Sequence, residues 1–141
     1  MADAAWHYNI TGNYIDRSGG PGIRLRRRGE GRARVTSITG NVIYRSGKPD
    51  WRELGEYESC HVQVDGAQGL TMTGNTLNVG RDDGGKGEWS PDYGIIYGGL
   101  ENAVISGNVL HDACLKELLL ESAENGPGVI VKDNPGSIFA P

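Results

Sequence analysis

Arg24, Arg26, His61 and Asp65 are the residues of this chain best equipped for chemistry, provided the segments that carry them lie side by side. A guanidinium can clamp a carboxylate through two parallel hydrogen bonds. Imidazole titrates nearest to neutral pH and is the natural general acid or base. Asp65, with Asp82 and Asp83 downstream, offers the hard oxygen donors that Ca²⁺ takes. A plainer account of each is also open. The arginines at 24 and 26–28 suit a solvated edge that discourages sheet pairing. Asp82-Asp83-Gly84-Gly85 lacks the alternating acids of a calcium loop and suits a turn. A lone His61 can be purely structural.

The segments that must position these groups are short and apolar. They are Gly22-Ile23-Arg24-Leu25, His61-Val62-Gln63-Val64, Gly94-Ile95-Ile96-Tyr97 and Glu117-Leu118-Leu119-Leu120. Each is bounded by turn-forming or charged residues and reads as a strand. With Ile23, Leu25, Val62 and Val64 inward, two-residue alternation turns Arg24, Arg26, His61, Gln63 and Asp65 outward. The same count turns out Ile96, Gly98, Glu117, Leu119 and Glu121. Stacking the segments puts Arg26, Asp65 and Glu121 in one column and Arg24, Gln63, Ile96 and Leu119 in the next. His61 and Glu117 fall in a third.

What stacks them is a repeat. Ile10-Thr11-Gly12-Asn13, Ile38-Thr39-Gly40-Asn41, Met72-Thr73-Gly74-Asn75 and Ile105-Ser106-Gly107-Asn108 are near-copies, and Val131-Lys132-Asp133-Asn134 is a degenerate fifth. The asparagines are 28, 34, 33 and 26 residues apart, a period typical of solenoids. Apolar residues recur three before each asparagine and two after the first four. Five before it stand Tyr8, Thr36, Leu70, Ala103 and Val129, with Thr36 the exception. The step from −5 to −3 keeps a strand's alternation, and the step from −3 to +2 breaks it. One strand therefore ends at Gly-Asn, the chain bends, and another begins. Glycine and asparagine tolerate the positive φ such a bend needs. Stacked bends would let Asn13, Asn41, Asn75, Asn108 and Asn134 form a hydrogen-bonded ladder. Three short strands per period predict an all-β, single-stranded right-handed parallel β-helix of about four coils. It forms one domain over residues 1–141, or a piece of a longer solenoid.

In these bends and the apolar pattern around them, from about Tyr8 to Phe139, the chain resembles the right-handed parallel β-helix proteins of the pectate-lyase-like superfamily. The resemblance implies a sugar-chain cleft along the outer face. Acidic residues, often with calcium, offset uronate charge there, and an Arg or Lys takes the proton beside the carboxylate. In that setting Trp51, Tyr57, Trp89 and Tyr93 would stack on sugar rings, with Gln63 and Glu121 as further contacts. Two long connections, 45–59 and 80–92, leave the solenoid at the same corner and would wall one side of this face. Long insertions on one edge of a repeat usually mark its binding side.

Composition narrows the classes. The formal charge of −4 disfavours nucleic acid as a partner. No apolar stretch is long enough to span a membrane, and no signal peptide stands at the start. Glycine is 23 of 141 residues, more than twice its usual share of about 7%, as many turns require. Cys60 and Cys114 suit buried reduced thiols rather than a disulfide framework. The first rung has no visible cap, so another subunit or more of the same chain is expected to cover it.

Two functions follow. One is a polysaccharide-directed protein that binds or cleaves an acidic glycan on the outer face, with no cofactor or with Ca²⁺. The other is a non-catalytic structural or assembly module that oligomerises through the side or end of the solenoid, with Ile96 and Leu119, apolar residues expected outside, in the interface.

Overall fold

The computed structural model describes residues 7–27, 29–48, 57–80 and 89–140, and the chain there is a right-handed parallel β-helix. Its thirteen strands fall into three parallel sheets. Sheet A holds β1 (Asn9–Thr11), β4 (Ala33–Thr39), β7 (Ala67–Thr73), β10 (Ala103–Ser106) and β13 (Val129–Lys132). Sheet B holds β2 (Tyr14–Asp16), β5 (Val42–Tyr44), β8 (Thr76–Asn78) and β11 (Val109–His111). Sheet C holds β3 (Ile23–Leu25), β6 (Cys60–Asp65), β9 (Tyr93–Gly98) and β12 (Glu117–Ala123). Each coil runs from sheet C to A, bends at Gly-Asn, crosses B and returns to C. Three strands per coil give just over four coils.

The repeat sets the register. Ile10, Ile38, Met72, Ile105 and Val131 pair across sheet A, and Ile15, Ile43, Leu77 and Leu110 across sheet B. Together with Ile23, Leu25, Val62, Val64, Ile95 and Tyr97 from sheet C they form one continuous core. At the bend, glycine alone supplies the positive φ: Gly12, Gly40, Gly74 and Gly107 lie between 64° and 68°. In the fifth copy Asp133 takes that place at φ 54°. The asparagines do not; their task is the ladder. Each Nδ2 donates to the next asparagine's Oδ1 at 2.8–2.9 Å, from Asn13 through Asn41, Asn75 and Asn108 to Asn134. Each Oδ1 from Asn41 onward also accepts the preceding asparagine's backbone N–H at 3.0–3.1 Å.

Two expectations about sheet C need correction. In the last coil Leu120, not Leu119, pairs with Ile96, while Leu119 pairs with Ile95 and packs against the core. Glu121 correspondingly pairs with Tyr97, just before a bulge. Ile96 itself is only 1% exposed. The apolar outer patch that Ile96 and Leu119 were expected to form is therefore not there.

Candidate functional site

The outer face of sheet C brings together part of the expected constellation. Arg24 pairs in register with Gln63, Gln63 with Ile96, and Ile96 with Leu120, which makes one outward column. Asp65 pairs with Gly98 in the next column, and Arg26 follows Leu25 at the level of Asp65. Arg24, Gln63 and Asp65 are half-buried and Arg26 is exposed. The Gln63 Oε1, in register with Arg24, is buried and accepts no hydrogen bond among the described residues.

The aromatic residues come to this face from its edge. The Tyr57 ring packs over Gly20, just before β3, where a Cβ would stand 3.4 Å from the ring's Cδ1. The Trp89 ring lies 5.0 Å from Lys48 Nζ, in reach of a cation–π contact. Tyr93 is half-buried at the start of β9, paired with Cys60 and Glu117. Trp51, Asp82 and Asp83 lie outside the described residues. Glu121 joins Tyr97 and Asn125 in a separate recess at the last coil, where its Oε1 accepts from Asn125 Nδ2 at 3.0 Å.

His61 is not on the outer face. It is fully buried, and its Nε2–H donates to Ala113 O at 2.8 Å. The neighbours explain why. His61 stands opposite Gly22 on one coil and Gly94 on the other. A Cβ on Gly22 would meet Ile15 and Ile43, and one on Gly94 would stand 2.7 Å from Leu110. These positions sit at the corner where the chain enters sheet C, and they face the core. Two glycines free the volume that the imidazole fills. Burial away from water pushes its pKa down to about 4, against a smaller upward pull from the Ala113 bond. His61 is thus neutral near pH 7 and structural in place.

Sequence reasoning missed the residue that ties the two long connections together. Ser59 is fully buried; its Oγ donates to Gly47 O at 2.7 Å and accepts from the Asp92 N–H at 2.9 Å. Asp92 in turn accepts from Lys116 Nζ at 3.0 Å. The roots of both insertions are therefore fixed to one another beside the sheet C face. A serine before a strand carries no distinctive signal, so only the stacking reveals it.

Both cysteines are buried free thiols. Cys114 Sγ donates to Glu117 O at 3.0 Å, and burial raises its pKa to about 11. It is held as an unreactive thiol. Among the described residues no three His, Cys, Asp or Glu side chains converge to hold a metal ion.

No protein-family model matches this sequence, and neither does any curated protein. Among solved structures the chain is similar to a pentapeptide repeat protein, Rfr23, from the cyanobacterium Cyanothece 51142. Sequence identity is 13% over 90% of each chain, with a TM-score of 0.26. Likeness at that level carries neither fold nor function across. The architecture rests on the register of the three sheets.

Proposed function

We propose that the outer face of sheet C binds an acidic polysaccharide, in the manner of the pectate-lyase-like β-helix proteins. The observation that carries this reading is the register of Arg24 on Gln63 beside Arg26 and Asp65. A guanidinium and a buried amide acceptor stand one coil apart on a rigid sheet, with Tyr57 and Trp89 at its edge. Arg24 and Arg26 would pair uronate carboxylates, Gln63 would accept from a sugar hydroxyl by turning its amide outward, and the rings would cover apolar sugar faces. Charge pairing of this kind weakens with salt.

With His61 in the core, proton transfer on this face would fall to Arg24 or Arg26. We therefore put binding ahead of cleavage. The assembly reading loses Ile96 and Leu119 as its side contact, since Ile96 is covered and Leu119 packs inward, and keeps association through the solenoid end.

The test is a screen of pectate, alginate and hyaluronan by thermal shift and calorimetry, with ultraviolet absorbance following any unsaturated product. Binding that falls roughly tenfold in Arg24→Ala, about the worth of one charge-assisted contact, is expected. No response to any of the three polymers would sink the reading. Product that disappears in Arg24→Ala would extend it to a lyase.

A further inference from the structure

Sheet B carries a second surface, on a different side of the coil. Its outward residues stand in two columns. Tyr14, Val42, Thr76 and Val109 pair in register along one, and Asp16, Tyr44, Asn78 and His111 along the other. Tyr14 is 67% exposed, Val42 40% and Val109 44%, so three of the four residues in the first column are exposed apolar or aromatic groups. A groove of about 520 Å³ crosses this face, lined among others by Tyr14, Val42, Tyr44, Asn78, His111 and Asp112.

The polar side of the groove is built rather than loose. Arg45 holds Asp16 with two hydrogen bonds, Nε to Oδ1 at 3.0 Å and a terminal nitrogen to Oδ2 at 2.7 Å. The same guanidinium stacks on the Tyr44 ring, 4.3 Å from its centre. Tyr44 reaches across to Gly80 on the next coil, where any Cβ would overlap its hydroxyl. Asn78 Nδ2 donates to His111 O at 2.6 Å, which fixes the amide with its carbonyl oxygen as the remaining acceptor. Rotamers locked in this way lose little entropy when a ligand arrives.

We propose that this groove binds a chain of neutral pyranose rings. A pyranose has an apolar face and a rim of hydroxyls, which matches an apolar column beside a polar one. Charge excludes the ligand proposed for sheet C. The carboxylate that lines the groove is Asp112, and the nearby Arg45 is committed to Asp16. A uronate would meet repulsion here, whereas a neutral sugar would find acceptors for its hydroxyls. Coils rise by about 4.8 Å, comparable to one pyranose unit, so successive rings can meet equivalent positions. The inference stands independently of the sheet C reading.

The experiment is titration of cellohexaose, mannohexaose and maltohexaose into the whole chain, followed by calorimetry and by NMR shifts. Wild type should bind at least one of them. Tyr14→Ala and Val42→Glu should weaken that binding tenfold or more, while Arg24→Ala should leave it unchanged. Both altered positions are exposed, and melting curves verify that the variants fold. The proposal is overturned if none of the three sugars binds, or if Arg24→Ala abolishes binding. Wild-type affinity in both sheet B variants would overturn it too. So would a dimer in sedimentation that Val42→Glu dissociates, since the face would then belong to a second copy.

Discussion

The side-chain amide of Asn75 donates to Asn108 Oδ1 across 2.8 Å, while its own Oδ1 accepts twice from Asn41, at 3.0 Å from the backbone N and 2.9 Å from Nδ2. Its Nδ2 also serves Ile38 O at 2.9 Å. With a longer bond from Nδ2 to Thr73 O at 3.3 Å, the Asn75 side chain thus closes five hydrogen bonds in a place water does not reach.

Asn75→Ala should therefore be costly. It strands two donors on Asn41 and takes a donor from Ile38 O and from Asn108 Oδ1. Buried groups left unpaired cost about 1–3 kcal/mol each, with partial relaxation expected. We predict a loss of roughly 3–5 kcal/mol, against less than about 1 kcal/mol for Asn13→Ala at the exposed end of the ladder. Urea unfolding of both variants measures this. Similar losses at the two positions would mean that the ladder does not stabilise cooperatively.

His61 makes a pH prediction with a definite sign. Its pKa is about 4 when folded and near 6.5 in an unfolded chain. Between those values the unfolded state binds the extra proton, so stability rises with pH. Stability is full above pH 6.5 and falls as pH drops toward 4. By pH 5, where most carboxylates are still ionised, the loss is about 2 kcal/mol, or roughly 6 °C in Tm. His61→Leu should melt lower at pH 7, because Ala113 O loses its donor, but its Tm should hardly change from pH 7 to 5. A wild-type Tm that is flat over the same range would contradict the buried neutral imidazole.

How much of this the sequence revealed depends on which residues carry the signal. The Gly-Asn phrases and the apolar positions at −3 and +2 repeat in nearly every coil, so fold, register and ladder were all legible. The outer face of sheet C was only half legible. Alternation placed Arg24 and Gln63 correctly, but it carried the outward parity back to His61, the second residue of β6, which is buried. At the corner, His61 follows Gly22 and Gly94 inward, and glycines give a sequence pattern no direction. In the last coil, Leu118-Leu119-Leu120 is apolar throughout, so a period of two had nothing to alternate against. The sheet B groove went unseen because its residues, one and three places after the asparagine, vary from coil to coil without a shared chemistry.

The corrected register of the last coil can be tested directly. Leu119 packs on the core opposite Ile95, whereas Leu120 stands in the outward column. Leu119→Asp should destabilise by roughly 2–4 kcal/mol, because it pushes a charge against the apolar interior. Leu120→Asp should cost about 1 kcal/mol or less. Thermal melting that ranks the two in the opposite order would restore the slipped register.

Thr36 is the one polar residue in the inward row five places before the asparagines. It is 3% exposed and pairs with Leu70 on the next coil. Its hydroxyl has no hydrogen-bond partner among the described residues. A buried hydroxyl in that condition costs more than it returns, and valine has nearly the same shape without it. Thr36→Val should raise stability by about 1 kcal/mol, read as a higher urea midpoint at unchanged slope. A lower midpoint would show that the hydroxyl is satisfied after all, with a buried water as the natural partner to seek.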